Sequence, residues 1–475
     1  MNDVYIEGFE SRHSGWKYAS NALNQFPASL LPATLSVFLF FYYEAVLGLN
    51  AWYVFLALSI WTVYDAVNDP LIGFLVDRNT KLTRRFGRRF PWIVIGIAPW
   101  CLSLYLVFSA PVVDDSTNPW PTFWWLLFSL ILFDTFGTLV SVNLGVLRPD
   151  LFRTEEERRL LSKYFMPIDM VAVALGMLIP PLFLGAGAGR EGFAFMGAMV
   201  AFIALITCIL FLPGAREDKV MIDRYFTADH ERMNFFKGVK EVVKQKSFLV
   251  HFVFVVAWIA STDMLIGNSI YLVIFVLRAS PDEITIVFAV FLLGALISTP
   301  FWLILLKKMK DNKKVAVIGG FASSAAMVPM TFFQTMIDLL IILFILGFCC
   351  GSLWAFIYTI IGSNVQDDYA VRTEKNQKAI IVGASVFFRR FAGTLDELII
   401  AIVHTLTGFK AGYNTYEELA GAVDDINLVL LGIRLLAGVI PAIIMFIGTF
   451  IFWKYYPLTQ EEVLKNKKKL KELGF

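Results

Sequence analysis

Charge is what this 475-residue chain has least of: Asp, Glu, Lys and Arg make up 17% of it, where a soluble domain carries about 25%. That shortage excludes an ordinary water-exposed globular protein. Cysteine and histidine are equally sparse, four of each. Cys101, Cys208, Cys349 and Cys350 sit in apolar stretches, and no pair has the spacing of a metal site or an extracellular disulfide framework, so they read as packing residues. His13, His230, His251 and His404 are scattered and suggest neither a metal cluster nor imidazole catalysis. There is no nucleophile–base pair and no phosphate-cradling glycine loop, so an enzyme is not expected, and neither is a cofactor or a nucleic-acid partner.

What is abundant is apolar surface, with 57% hydrophobic residues and a mean hydropathy of +0.66. Crossing roughly 30 Å of hydrocarbon takes about 20 apolar residues. Such runs lie near 19–48, 50–76, 91–112, 120–147, 164–186 and 192–213, then near 247–277, 284–306, 314–332, 336–362, 379–407 and 427–454. The pattern predicts an all-α membrane protein of twelve spanning helices in two sets of six. Its expected parts are an N-terminal bundle over 1–215, a cytoplasmic linker over 216–246, a C-terminal bundle over 247–455 and a tail over 456–475.

Basic residues collect on alternate loops: Arg84, Arg85, Arg88 and Arg89, then Arg153, Arg158 and Arg159, then Lys307, Lys308, Lys310, Lys313 and Lys314. Asp114, Asp115, Glu417, Glu418, Asp424 and Asp425 mark the opposite side. The positive-inside rule then puts both termini in the cytoplasm. The first segment is long and followed by eleven others, which reads as a spanning helix and not a cleaved leader. Phe235, Phe236, Val239, Val242 and Val243 among lysines suggest a short amphipathic helix in the linker. The lysine-rich tail, Lys465 to Lys471, reads as a solvated, partly frayed helix.

The second segment carries the chemistry. Tyr64-Asp-Ala-Val-Asn-Asp-Pro70 puts Asp65, Asn68 and Asp69 at i, i+3 and i+4, one face of one helix. A carboxylate at bilayer depth costs about 3 kcal/mol on insertion scales, so two within one turn need a compensating cation. Their hard oxygens suit a small inorganic ion. This points to a cation-coupled membrane transporter.

These residues resemble the glycoside-pentoside-hexuronide:cation symporter family of the major facilitator superfamily, to which melibiose permease and the sodium-dependent lysophospholipid symporters are related. Asp65 to Gly73, running into Asp77-Arg78 and Arg84-Arg85-Phe-Gly87-Arg88-Arg89-Phe-Pro91-Trp92, looks like the family's second-helix signature and basic loop. Asn143 to Leu161 resembles its fourth-helix exit, Arg372 to Gly393 its tenth-to-eleventh helix region, and Tyr456-Pro-Leu-Thr459 a recurrent ending. The resemblance implies the major facilitator fold, alternating access, a functional monomer and a cell-membrane location.

Carried over residue by residue, the family's sodium site falls on Asp65, Asn68, Asp69 and Thr138, and its eleventh-helix lysine on Arg390. Two aspartates, one arginine and one monovalent ion sum to zero charge, a sensible condition for a buried site. Neutral Asn68 and Thr138 favour Na+ as the coupling ion, since a proton needs no extra oxygen ligands; H+ or Li+ are the alternatives. Where the melibiose-permease branch grips sugar with aspartates on its first and fourth helices and an arginine on its fifth, this chain has Ser29, Ser141 and no arginine, with Asp169 nearby instead. The substrate expected from the family is a sugar, glycoside or similar polar solute, and a lysolipid is the alternative that the missing aspartates raise.

Asn24, Gln25, Ser29, Ser141, Asp169 and Asp263 are the candidates for lining the substrate cavity, with Asn21, Asp134, Asp396, Glu397 and Arg434 as further intramembrane polar residues. For Asp396 and Glu397, an internal ion pair with Arg434 is the structural alternative to lining the cavity. Asp77, Arg78, Arg84, Arg85, Arg88 and Arg89 form an expected cytoplasmic gate that latches the outward-facing state.

Overall fold

The computed structural model describes residues 13–76, 86–111, 118–152, 154–184, 189–217, 242–356, 361–374 and 378–472. Among them there is no β-strand. Ten helical stretches are long and apolar enough to cross a membrane. Helices Ala51–Val76 and Lys378–Thr407 match them in length, but Asp65, Asn68 and Asp69 break the apolar run of one, and Asp396 and Glu397 that of the other. Together these are the twelve helices that the hydropathy pattern predicts.

The chain divides into two compact units. The first takes residues up to Leu49 and from Ser59 to His230. It contains α1 (Gly15–Ala22), α2 (Gln25–Phe41), most of α3 (Ala51–Val76), α4 (Phe90–Val107), α5 (Trp120–Leu151), α6 (Glu155–Leu178) and α7 (Arg190–Phe211). The second takes Asn50–Leu58 and everything from Glu231. Its helices are α8 (Lys246–Tyr271), α9 (Ile284–Met309), α10 (Asn312–Met327), α11 (Met336–Phe356), α12 (Gly362–Thr373), α13 (Lys378–Thr407), α14 (Tyr416–Ala422), α15 (Ile426–Ala437), α16 (Val439–Tyr455) and α17 (Gln460–Glu472).

An internal repeat shows in the backbone. The first long helix of each unit ends in a π turn, Tyr42–Val46 after α2 and Leu272–Val276 after α8. Leu47 N donates to Tyr42 O and Leu277 N to Leu272 O, both at 3.0 Å, and the amides of Leu49 and Ala279 each reach back at 2.9 Å. Two segments with little sequence in common thus end the same way.

Local chemistry sets several boundaries. Helix α6 starts at Glu155, ahead of the expected 164, because Thr154 and Glu157 form a reciprocal capping box: Glu157 N donates to Thr154 Oγ1 at 3.2 Å, and Thr154 N to Glu157 Oε2 at 3.3 Å. The twelfth segment breaks at Gly438 into α15 and α16. Between α9 and α11 the backbones nearly touch: a Cβ on Gly347 would stand 2.1 Å from the Phe291 carbonyl oxygen, and one on Gly294 2.3 Å from that of Phe344. Without water to drive apolar association, such small-residue contacts supply the packing between membrane helices.

The tail corrects the expectation of a frayed, solvated helix. Helix α17 buries Val463, Asn466 and Leu470, and Leu470 packs on Ala370 and Val371 of α12. Its lysines occupy the other face, so an amphipathic pattern that reads as solvated from composition is half-docked in the fold. Asp77, Arg78, Arg84 and Arg85 of the expected gate, and residues 218–241 of the linker with most of its expected amphipathic helix, lie outside the described residues.

Candidate cation and substrate site

Helices α3 and α5 bring the expected cation ligands together in part. Thr138 donates its hydroxyl to Asp69 Oδ1 at 3.1 Å, with Thr138 buried and Asp69 half-buried. Asn68, also buried, donates from Nδ2 to Asp134 Oδ2 at 2.8 Å. Asp65 is half-buried one turn earlier on the same face. The Tyr64 hydroxyl lies 2.7 Å from the Thr135 hydroxyl and 3.4 Å from Asn68 Oδ1.

Three members of this layer were not foreseen as such. Asp134 reads as a cavity liner in the sequence, and the fold sets it against Asn68; Tyr64 and Thr135 join the same layer. Asp134 and Thr138 stand at i and i+4 on α5, facing the i, i+3, i+4 set on α3, and that periodicity is the signal that could have found the pairing. The result is a cluster of carboxylate, amide and hydroxyl oxygens shared by two helices, a donor set that fits a hard monovalent cation better than it fits a soft metal. Among the described residues no three Asp, Glu, His or Cys side chains converge as metal ligands, so a cation here depends on the neutral oxygens as much as on the carboxylates. Arg390 lies on α13, and its side chain is outside the described residues.

The substrate-cavity candidates of α2 and α6 meet one another. Ser29 and Gln25 both donate to Asp169 Oδ1, Gln25 at 2.9 Å, and Gln25 also reaches Ser29 Oγ at 3.1 Å. Ser141 is exposed and turned back on its own helix, 3.4 Å from the Thr138 carbonyl. Asn24 is buried with its Oδ1 unpartnered. Asn21 is structural: its Nδ2 donates to Gly214 O at 3.0 Å, and its Oδ1 accepts from Arg148 Nε at 3.0 Å.

In the second unit Asp263 lines a cavity of about 250 Å³ with Trp258, Thr262, Phe291, Met327 and Cys350. The alternative ion pair of Arg434 with Asp396 and Glu397 is not found among the described residues. Arg434 instead donates to the carbonyl oxygens of Thr331 and Phe333, with its guanidinium 4.8 Å from the Phe333 ring centroid.

Of the expected gate, Arg88 and Arg89 are described. The Glu217 carboxylate accepts from the backbone N–H of Arg88 at 2.8 Å, of Arg89, and of Phe90 at 3.1 Å. An anion thus caps the start of α4, where orphan amides and the helix dipole favour it. Gly87, at φ +101°, makes the turn, and a Cβ there would fall 2.4 Å from the Glu217 carboxylate. Arg89 is buried and reaches Asn143 Oδ1 at 3.4 Å.

Residues 20–460 match the family described as MFS/sugar transport protein. The chain belongs to that family. Curated relatives align over almost its whole length. The sodium-dependent lysophosphatidylcholine symporter 1 of Gallus gallus is 24% identical over 94% of this chain and 87% of its own, and symporter 1-B of Danio rerio 25% over 95% and 88%. The sphingosine-1-phosphate transporter of Xenopus tropicalis is 22% identical over 93% and 87%. Among solved structures, a bacterial homologue of the lysosomal transporter Spinster superposes with a TM-score of 0.66 at 12% identity, covering 96% of this chain and 99% of that one. A D-xylose–proton symporter gives 0.59 at 11%, covering 93% and 97%. The MFS family member described here is therefore a multi-pass membrane transporter of the major facilitator fold, and not an enzyme.

Proposed function

We propose that this family member is a sodium-coupled symporter of a lysolipid, working by alternating access between its two six-helix sets. The observation that favours lipid over sugar is the closed arrangement of Gln25, Ser29 and Asp169. A sugar needs several free donors and acceptors in its cavity, because each polar group buried without a partner costs about 1–3 kcal/mol. These side chains satisfy one another, and Ser141 turns to its own backbone. The relatives named for lysophosphatidylcholine and sphingosine-1-phosphate point the same way, so within the family resemblance the substrate moves from the sugar side to the lysolipid side.

Asp65, Asn68, Asp69 and Thr138 hold the Na+, with Asp134 completing the layer and Arg390 as the balancing charge. Coupling follows from linkage: an ion that neutralises these carboxylates and ties α3 to α5 raises substrate affinity, and substrate tightens ion binding reciprocally, by about 1–3 kcal/mol. Arg88 and Arg89, with Asp77, Arg78, Arg84 and Arg85, form the cytoplasmic gate. The protein acts as a monomer in the cell membrane with both termini cytoplasmic.

Uptake by purified protein in liposomes tests the reading. A Na+ gradient is expected to drive accumulation of radiolabelled lysophosphatidylcholine, K+ to fail in its place, and Asp69→Asn to abolish the response. Na+-driven melibiose uptake with no lysophosphatidylcholine uptake would return the substrate to the sugars.

A further inference from the structure

The second unit holds three carboxylates that the sodium site does not use. Asp263 on α8 borders the cavity of about 250 Å³. Asp396 and Glu397 are consecutive on α13, which packs against α8. Each of the latter two lies within electrostatic reach of Asp263, and Asp396 also feels Glu397. Asp396 is only 7% exposed; its Oδ1 and Glu397 Oε2 are shut away from solvent with no hydrogen-bond partner.

Among the described residues, the other titratable groups on the surrounding helices are placed as follows; the side chain of Arg390, on α13, is not among them. On α8, His251 lies three turns before Asp263. On α13, Arg389 comes two turns earlier, and His404 stacks on Phe409 with 4.6 Å between ring centroids. On α15, Arg434 is committed to carbonyl oxygens, and Asp425 caps the helix start. On α12, Asp368 and Arg372 bond each other at 3.0 Å, and Asp367 shares that helix. Cys350 of α11 completes the cavity wall. No cation among these meets Asp263, Asp396 or Glu397.

We propose that Asp263, Asp396 and Glu397 form a proton-binding site in the second helix set, separate from the sodium site, which exchanges protons through the cavity that Asp263 lines. Adjacent carboxylates in a low-dielectric interior cannot all stay ionised without a counter-charge. A metal ion needs several oxygens to converge, and among the described residues no three acidic side chains do so. A proton needs one oxygen. Uptake forms an O–H bond on a carboxylate oxygen at the expense of a hydronium ion, and release returns the proton to water. Because the three interact, protons come off in steps that belong to the cluster and not to single residues. The proposal depends on neither the lysolipid nor the sodium assignment.

Infrared spectroscopy of the full-length protein in detergent, recorded in water and in heavy water from acid to alkaline pH, tests it. At neutral pH the wild type is expected to show the C=O absorption of protonated carboxyl groups. Asp69→Asn should keep it, and Asp396→Asn and Glu397→Gln should each remove a share. Since the amides mimic the neutral acids, the variants should melt no lower than wild type. Asp263→Asn, on the cavity wall, gives the reading should Asp396→Asn not purify. A neutral-pH carboxyl absorption that is absent from wild type, or identical in wild type and all three variants, overturns the proposal.

Discussion

The Thr138 hydroxyl on α5 donates to the Asp69 carboxylate on α3 across 3.1 Å. The bond joins the two helices that carry the proposed cation ligands and fixes one carboxylate oxygen beside a neutral one. In Thr138→Val the shape is nearly kept and the hydroxyl lost. Sodium affinity should fall about tenfold, the equivalent of about 1.4 kcal/mol, with the fold intact. Sodium titration of thermal stability checks this; unchanged affinity would remove Thr138 from the ion's shell.

Asn68 separates two acids by donating to Asp134 at 2.8 Å while Asp69 follows it in sequence. Replacing it with Asp sets a third carboxylate against Asp134. Asn68→Asp is expected to lower the melting temperature at neutral pH and to regain it as the pH falls. The sign follows because like charges disfavour ionisation in the folded state, so the folded protein binds more protons than the unfolded chain and gains stability from acid. A melting series across pH reads it, and a pH-independent loss would mean packing damage instead.

The contact of α9 with α11 leaves no room for a methyl group at Gly347, where a Cβ would stand 2.1 Å from a backbone oxygen. Gly347→Ala should therefore destabilise by about 1–3 kcal/mol despite the better helix propensity of alanine. Thermal unfolding in detergent gives the answer, with Gly393→Ala as the control, since a Cβ there meets nothing within 4 Å.

Asp368 gathers the end of the second unit. It accepts from Gln245 Nε2 at 2.7 Å, Ser247 Oγ at 2.6 Å, Arg372 Nε at 3.0 Å and Asn466 Nδ2 at 3.4 Å. Asp368→Asn offers a donor where acceptors are needed, so α17 should loosen and its amides exchange faster with heavy water. Burial, with the Asp368 charge added, holds the Tyr456 phenol above its ordinary range. Ultraviolet titration should find that phenol lowered in the variant, while an unmoved phenol would show that burial alone sets it.

Much of the molecule was legible before any coordinates. Hydropathy placed every long helix, because a segment that must bury its own backbone hydrogen bonds in lipid has to be helical and apolar along its length. The Asp65, Asn68, Asp69 face followed from spacing within one helix. What stayed hidden were pairings between helices. Asp134 belongs with Asn68, Asp169 with Gln25 and Ser29, and Glu217 with the start of α4, at separations of 66, 144 or 140, and 127 to 129 residues. The Arg434 ion pair failed for the same reason: two opposite charges in neighbouring spans invite a bridge, and nearby backbone carbonyls took the guanidinium first.

The sequence by itself determined that this is a twelve-helix membrane protein with hard-oxygen chemistry on its second span, since length, hydropathy and a 3.6-residue period are local properties. Only the tertiary structure decided which polar side chains remain available. It closed the expected sugar contacts on themselves, drew Thr138 to Asp69 and Asp134 to Asn68, docked the basic tail on α12 and, among the described residues, set no cation against Asp263, Asp396 or Glu397. Whether a buried polar group is satisfied depends on what the neighbouring helix presents at the same depth, and no single segment carries that information.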